Sequence, residues 1–315
     1  MIKENHRFDT LIFTTVKDFL RLGRNYRKLV EFMPAENLIF VGNTEVGKAV
    51  KEAALGERVI YMNEEEILPF RSVQEVMKKA LEIAEVPRGI TGWYYQQFLK
   101  MQYSSLGEHD YYLVWDGDTV PCREFSMFCE KENLPYFDLK REYHEEYFKT
   151  LEKILPGMHK CIEESFISEH MLINAEMMKN LIKDIEDNKA LKGNKFYEKI
   201  ILAIDQDKLT SNSFSEFETY GTYVCFKYFN SYRLRRWNSF RYGGEFFDPE
   251  QITEEDYKWL GKDFDAISFE KNHFVREDHR NLFNNREYQN KLSARQMLEI
   301  AQEEFKEGYI EVWEN

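Results

Sequence analysis

Through its first 121 residues the sequence alternates short, almost wholly apolar runs with amphipathic stretches. A sheet carrying helices on its faces buries both kinds of segment, so the pattern reads as α/β. Residues 9–16 are strand-like, and residues 17–33 place Phe19, Leu20, Leu22, Leu29, Val30 and Phe32 at roughly helical spacing. Residues 37–41 form a second strand, 44–55 a helix, 58–62 a third strand, and 72–84 a helix with Ser72 as N-cap and Glu75 completing a capping box. A helix over 93–103 then leads into the most apolar strand, Tyr111-Tyr112-Leu113-Val114-Trp115, which runs out into Asp116-Gly117-Asp118.

Beyond that point the alternation stops. Residues 125–129 and 136–139 flank Glu130-Lys131-Glu132-Asn133 as a hairpin would, and the chain then turns more helical: 145–155, 175–187, 196–204, and 293–305 with Ser293 as N-cap. With no repeat, low-complexity segment or flexible linker, the 315 residues read as one domain. Residues 1–121 form its nucleotide-binding type of half, and 122–315 an irregular, acceptor-side half.

Charge narrows the class of partner. The chain has 56 acidic against 43 basic residues, a net charge of −13, which argues against nucleic acid and limits membrane contact to the periphery. One local basic run, Tyr232-Arg233-Leu234-Arg235-Arg236-Trp237, suits a phosphate-bearing small molecule or lipid head group. Cys122, Cys129, Cys161 and Cys225 lack a close CxxC pair and read as inert thiols of a reducing compartment. Without an apolar leader or any run near the ~20 residues of a membrane span, the chain reads as cytoplasmic.

Two segments have the chemistry of a phosphate site. Gly42-Asn43-Thr44-Glu45-Val46-Gly47-Lys48-Ala49 follows a strand and opens a helix as a P-loop does, but Ala49 stands where the magnesium-ligating hydroxyl belongs and Glu45 puts negative charge in the loop. Asp116-Gly117-Asp118 places two carboxylates one residue apart at a strand end, with Gly117 free to bend so that one or both meet a single cation. Mn²⁺ or Mg²⁺ is commonly held by one or two protein carboxylates, the other positions being left to phosphate oxygens and water.

The Asp-x-Asp at a strand end, preceded by three βα units, resembles the GT-A-type nucleotide-sugar glycosyltransferases. Gly92-Trp93-Tyr94-Tyr95-Gln96-Gln97-Phe98-Leu99-Lys100-Met101, Ile167-Ser168-Glu169-His170-Met171-Leu172-Ile173 and Phe214-Ser215-Glu216-Phe217-Glu218-Thr219-Tyr220-Gly221 look like the set of a bacterial surface-polysaccharide subgroup. The resemblance spans roughly residues 9–273 and implies a GT-A-like, Rossmann-type mixed sheet with flanking helices.

That resemblance also implies roles. Thr14, Thr15 and Val16 would lie near base or ribose. Gln96 and Gln97, with Lys100 sharing a helical face with Gln96, would converge on sugar or diphosphate. Asp116 and Asp118 would hold the metal, Asp116 also facing the donor, with His273 as a late ligand. Glu216 or Glu218, capped by Ser213 or Ser215, would be the acceptor base of an inverting enzyme, whereas a retaining one needs no such base. His170 would reach the acceptor or donor cleft. Trp237, with Tyr220, Tyr223 and Tyr242, would stack on sugar beside Arg233, Arg235, Arg236 and Arg241. The expected activity is metal-dependent hexosyl transfer from a uridine-linked donor to a polysaccharide or glycolipid hydroxyl. A P-loop hydrolase or kinase, and a non-catalytic sugar- or nucleotide-binding protein, are the alternatives.

Overall fold

A computed structural model describes residues 7–277 and 283–305 and contains ten described strands. They are β1 (Phe8–Phe13), β2 (Leu38–Gly42), β3 (Val59–Asn63), β4 (Tyr111–Asp116), β5 (Thr119–Pro121), β6 (Tyr136–Leu139), β7 (His170–Asn174), β8 (Arg233–Arg236), β9 (Ser239–Phe240) and β10 (Ala266–Ser268). A five-stranded sheet has the order β3-β2-β1-β4-β7, and two smaller sheets have the orders β5-β10-β9 and β6-β8. In the three-stranded sheet β10 runs antiparallel to β5 and parallel to β9, so that sheet is mixed. The fold is α/β, its sheets accompanied by helices throughout the chain.

The chain divides into two compact units, each assembled from three segments: residues 1–11, 62–114 and 128–235, and residues 12–61, 115–127 and 236–315. Neither coincides with the halves at residue 121 that the sequence pattern suggests. In the first unit, Tyr94, Phe98, Phe196 and Phe214 pack ring against ring, and Phe137 stacks on Tyr232 at 3.8 Å between centroids. In the second, Phe19, Tyr26 and Phe40 form one aromatic cluster and Trp115, Phe125 and Trp237 another.

Local chemistry explains where the elements depart from the sequence pattern. The expected helix over 17–33 is two, Val16–Leu22 and Tyr26–Phe32, because Gly23 takes a positive φ of 38° that an α-helix excludes and glycine tolerates. The helix expected from Ser72 begins at Phe70, its chain entering through Pro69, so Ser72 lies inside the first turn and caps nothing. The helix expected over 93–103 spans Arg88–Gln102. The tight turn between residues 129 and 134 is present, with Asn133 at φ 59°, but beyond a lone Phe128–Pro135 bridge β6 pairs with β8 rather than with residues 125–129. Ser215 does cap the helix Glu216–Lys227, accepting from the Glu218 amide at 3.2 Å. Ser293 likewise caps Ala294–Phe305. Among the described residues no helix is long and apolar enough to cross a membrane.

Candidate functional site

The second unit gathers several of the expected donor-side and metal residues around the carboxyl end of β4. There lies Gly117, where an added Cβ would stand 2.5 Å from the Phe13 carbonyl oxygen and 3.3 Å from Thr14 Cβ. Only a residue without a side chain lets the Asp116–Asp118 turn lie this close to the end of β1. The Tyr26 hydroxyl fixes the same turn by donating to the Gly117 carbonyl at 3.0 Å. Thr14 therefore lies beside the Asp-x-Asp turn. Thr15 caps the helix Val16–Leu22, its hydroxyl accepting from the Asp18 amide at 3.2 Å and donating to Asp18 Oδ2 at 2.7 Å; Val16 is that helix's first residue.

The other wall is non-local. β5 leaves the turn and pairs with β10, Thr119 opposite Ser268, and the Phe269 amide donates to the Asp118 carbonyl at 2.8 Å. The segment after β10 is thereby delivered to the Asp-x-Asp turn. Desolvation first, then the neighbouring Asp116 and Glu270 carboxylates, push the Asp118 carboxyl up to about 7, against the pull of Arg21. Glu270 accepts from Arg241 at 2.5 Å. The His273 ring stacks on Tyr242 with centroids 5.2 Å apart, its Nε2 lying 4.0 Å from both Glu245 and Glu270 oxygens. Among the described residues, His273 Nδ1 is buried without a hydrogen-bond partner, as are Asp18 Oδ1 and Arg21 Nε.

These residues fit a divalent cation of the open kind. Among the described residues no three His, Cys, Asp or Glu side chains form a ready-made cage. The Asp118 carboxyl, raised by burial and by the Asp116 and Glu270 carboxylates, and the His273 Nδ1 without a hydrogen-bond partner instead match a site that one or two carboxylates begin and ligand oxygens complete. Sequence reasoning missed Asp18, Arg21, Glu245 and Glu270. Asp18 and Arg21 are separated by one helical turn next to a strand end, which is a readable signal; Glu245 and Glu270 depend on the β5–β10 pairing.

The first unit brings other named residues together in its interior. Lys100 Nζ lies 2.7 Å from Glu216 Oε1, both side chains 5% exposed, with the ammonium 4.5 Å over the Phe217 ring. Gln97 Oε1 accepts from the Glu216 amide at 3.0 Å, whereas Gln96 on the same helix is half-buried. Lys100 and Glu216 are thus an internal ion pair, not groups presented to a diphosphate or an acceptor. Glu218 is also buried, accepting from Ser165 Oγ at 2.5 Å, and burial raises its carboxyl above the ordinary range. His170 Nε2 and Arg235 both meet the buried Asp138, at 2.8 Å and, through Nε, 2.6 Å; Asp138 is thereby held below its ordinary value despite its burial. His170 is an interior residue, not one lining an open cleft.

Two further expectations change. In the second unit Trp237 is 2% exposed and packs edge-on against Trp115 and Phe125, so it presents no face to a saccharide. The Gly42–Lys48 segment is not a phosphate cradle: one residue, Asn43, separates β2 from the helix Thr44–Ala53. The Asn43 side chain already accepts from the Glu45 and Val46 amides, and Lys48 pairs with Glu45 at 2.8 Å on the surface.

The site and its fold define an α/β protein with a strand-end acidic turn, and the chain belongs to a family described as one of unknown function, DUF6492, which matches residues 6–295. No curated protein sequence matches it. Among solved structures it is similar to mouse xyloside xylosyltransferase 1 in its apo form, at 14% identity and TM-score 0.44, over 86% of this chain and 99% of that one. It is similar to the bifunctional glycosyltransferase WbbM, apo, at 12% and 0.44, over 96% of this chain and 52% of that one. The galactosyltransferase LgtC in complex with donor and acceptor sugar analogues is similar at 12% and 0.40, over 90% of this chain and 96% of that one.

Proposed function

We propose that the chain is a metal-dependent glycosyltransferase that takes a hexosyl group from a uridine-linked nucleotide sugar and places it on a hydroxyl of a polysaccharide or glycolipid. The observation that carries this reading is the Asp116–Gly117–Asp118 turn, packed without room for a side chain against Phe13 and Thr14 and charged by Asp116, Asp118 and Glu270 together. Such a turn suits a cation whose remaining ligands come from a diphosphate. Asp116, Asp118 and His273 are the residues assigned to Mn²⁺ or Mg²⁺, which when bound would neutralise negative charge developing on the leaving diphosphate.

The chain's own groups supply position. Thr14, Thr15 and Val16 are the residues assigned to the nucleoside, and the Asp18–Arg21 pair on the helix that follows offers an acceptor and a donor. Tyr26 and the Phe269 amide hold the turn's backbone, so the carboxylates need little rearrangement on binding. Glu216 and Glu218 lie in the interior, and the proposal rests on the donor residues alone.

Calorimetry with uridine diphosphate, with and without Mn²⁺, on the wild type and Asp118→Ala tests it. Metal-dependent binding lost in the variant is the expected result. Nucleotide binding that ignores both metal and substitution would overturn it.

A further inference from the structure

In the first unit, residues 159–166 run along the helix Glu216–Lys227. His159 packs edge-on against Phe226 at 5.3 Å, Ser165 donates to Glu218 at 2.5 Å, and Phe166 fills the space over Gly221 so closely that a Cβ there would stand 2.4 Å from its ring. Between these anchors Cys161 faces the same helix. Glu218, Thr222 and Cys225 share one helical face by i, i+4 and i+7 spacing, and the His159–Phe226 contact sets Cys161 and Cys225 two residues and one residue away from the same anchor, as neighbouring thiols. Both are free thiols; Cys161 is exposed and Cys225 half-buried behind it.

We propose that Cys161 and Cys225 are a peroxide-responsive redox pair, Cys161 the attacking thiol and Cys225 the resolving one. The Cys161 thiolate attacks one oxygen of a hydroperoxide, breaking the O–O bond; the sulfur is oxidised to sulfenic acid and the peroxide reduced to water or an alcohol. The Cys225 sulfur then displaces hydroxide from the sulfenic sulfur. The S–S bond forms, the S–O bond breaks, and the Cys225 proton leaves with the hydroxide as water. The electrostatics suit this order. Cys161, the exposed thiol, is the one a peroxide reaches first, and its neighbour Cys225 holds it below the ordinary thiol range, while the half-buried Cys225 is held above it. The product would staple the 159–166 segment to the helix that begins with Glu216.

The test uses the full chain, reduced, freed of reductant and treated with hydrogen peroxide at neutral pH, then alkylated and digested without reduction. A Cys161–Cys225 linked peptide as the main product, cleaved by a dithiol, is expected, together with a Tm for the oxidised wild type higher by roughly 3–7 °C. In Cys225→Ser, dimedone should trap a sulfenic acid at Cys161. Linked peptides joining other cysteines overturn the proposal, as does dimedone labelling of Cys161 as strong in the wild type as in the variant. So does oxidation of Cys129 ahead of Cys161. The linked-peptide measurement needs no variant, so misfolding of Cys225→Ser leaves the test intact.

Discussion

Alanine at Gly117 would test whether the acidic turn must approach β1 as closely as it does. The added Cβ would lie 2.5 Å from the Phe13 carbonyl oxygen, 3.3 Å from Thr14 Cβ and 3.4 Å from the Phe13 carbonyl carbon. Reaching even a tight 3.0 Å from that oxygen takes about half an ångström of movement, and two of the three contacts are backbone atoms that cannot rotate away. Overpacking of this kind costs about 1–3 kcal/mol, which for a chain of this size lowers Tm by roughly 1.5–4.5 °C. The same movement draws Asp116 and Asp118 away from Thr14, so metal-dependent uridine diphosphate binding should weaken by about tenfold or more, the equivalent of ~1.4 kcal/mol. Gly92→Ala is the control, since that glycine lies inside a helix with nothing within 4 Å of its Cβ position and should be neutral or stabilising by up to about 1 kcal/mol. Differential scanning fluorimetry and calorimetry read both quantities. A Gly117→Ala protein matching Gly92→Ala in Tm and nucleotide affinity would refute the packing argument and the half-site built on it.

Other substitutions separate structural charge from site charge. Lys100→Met leaves Glu216 buried without its cation and should cost about 3–5 kcal/mol in denaturant unfolding, most of it recovered in Lys100→Met/Glu216→Leu. If the double variant is no more stable than the single, the ion pair is not what Lys100 contributes. Burial lifts the Glu218 carboxyl, so the folded chain holds that proton more tightly than the unfolded one. The resulting stability is fully present below the unfolded value of about 4.3 and is lost as pH rises through the folded value. Glu218→Gln, which keeps an acceptor for Ser165, should therefore gain Tm over the wild type at neutral to alkaline pH and gain nothing near pH 4; a pH-independent difference would contradict the burial account. Lys48→Ala should change stability by no more than about 0.5 kcal/mol and leave nucleotide binding intact, because Lys48 is 68% exposed and meets only Glu45. Loss of nucleotide binding in that variant would reinstate the P-loop.

What the sequence made legible was local. The run from Tyr111 to Trp115 is apolar at every position, so its end at Asp116 is readable without knowing its neighbours. Ser215 before Glu216 announces a helix by its own capping chemistry. Non-local pairing was not legible. β7 is a five-residue strand between His170 and Asn174, too short for periodicity to separate strand from helix, and it becomes a strand because β4 lies beside it. The partner of β6 lies nearly a hundred residues away in β8, and a basic run such as Arg233–Arg236 does not read as a strand. Charged and aromatic residues misled for one reason. Lys100, Glu216, His170 and Trp237 have the chemistry of ligand-binding groups, but each meets its partner inside the protein, and sequence spacing does not record burial.

The acidic turn has an energetic consequence that distinguishes a site from a surface cluster. The Asp116 and Glu270 carboxylates both act against ionisation of Asp118, with Arg21 as its countercharge and Arg241 bonded to Glu270. Burial and the neighbouring Asp116 and Glu270 carboxylates make ionising Asp118 costly in the folded chain, so that charge should weaken the metal-free protein and strengthen the loaded one. Removing one charge while keeping the shape, as Asp118→Asn does, should then raise the Tm of the metal-free chain, the reverse of what most substitutions at a half-buried residue do. The same variant should lose the rise that Mn²⁺ and uridine diphosphate give the wild type, about 2.7 kcal/mol at a ligand concentration one hundred times Kd. The two effects have opposite signs and one cause. An Asp118→Asn protein that is less stable than wild type without metal and still gains stability from Mn²⁺ would show that Asp118 serves the fold rather than a cation.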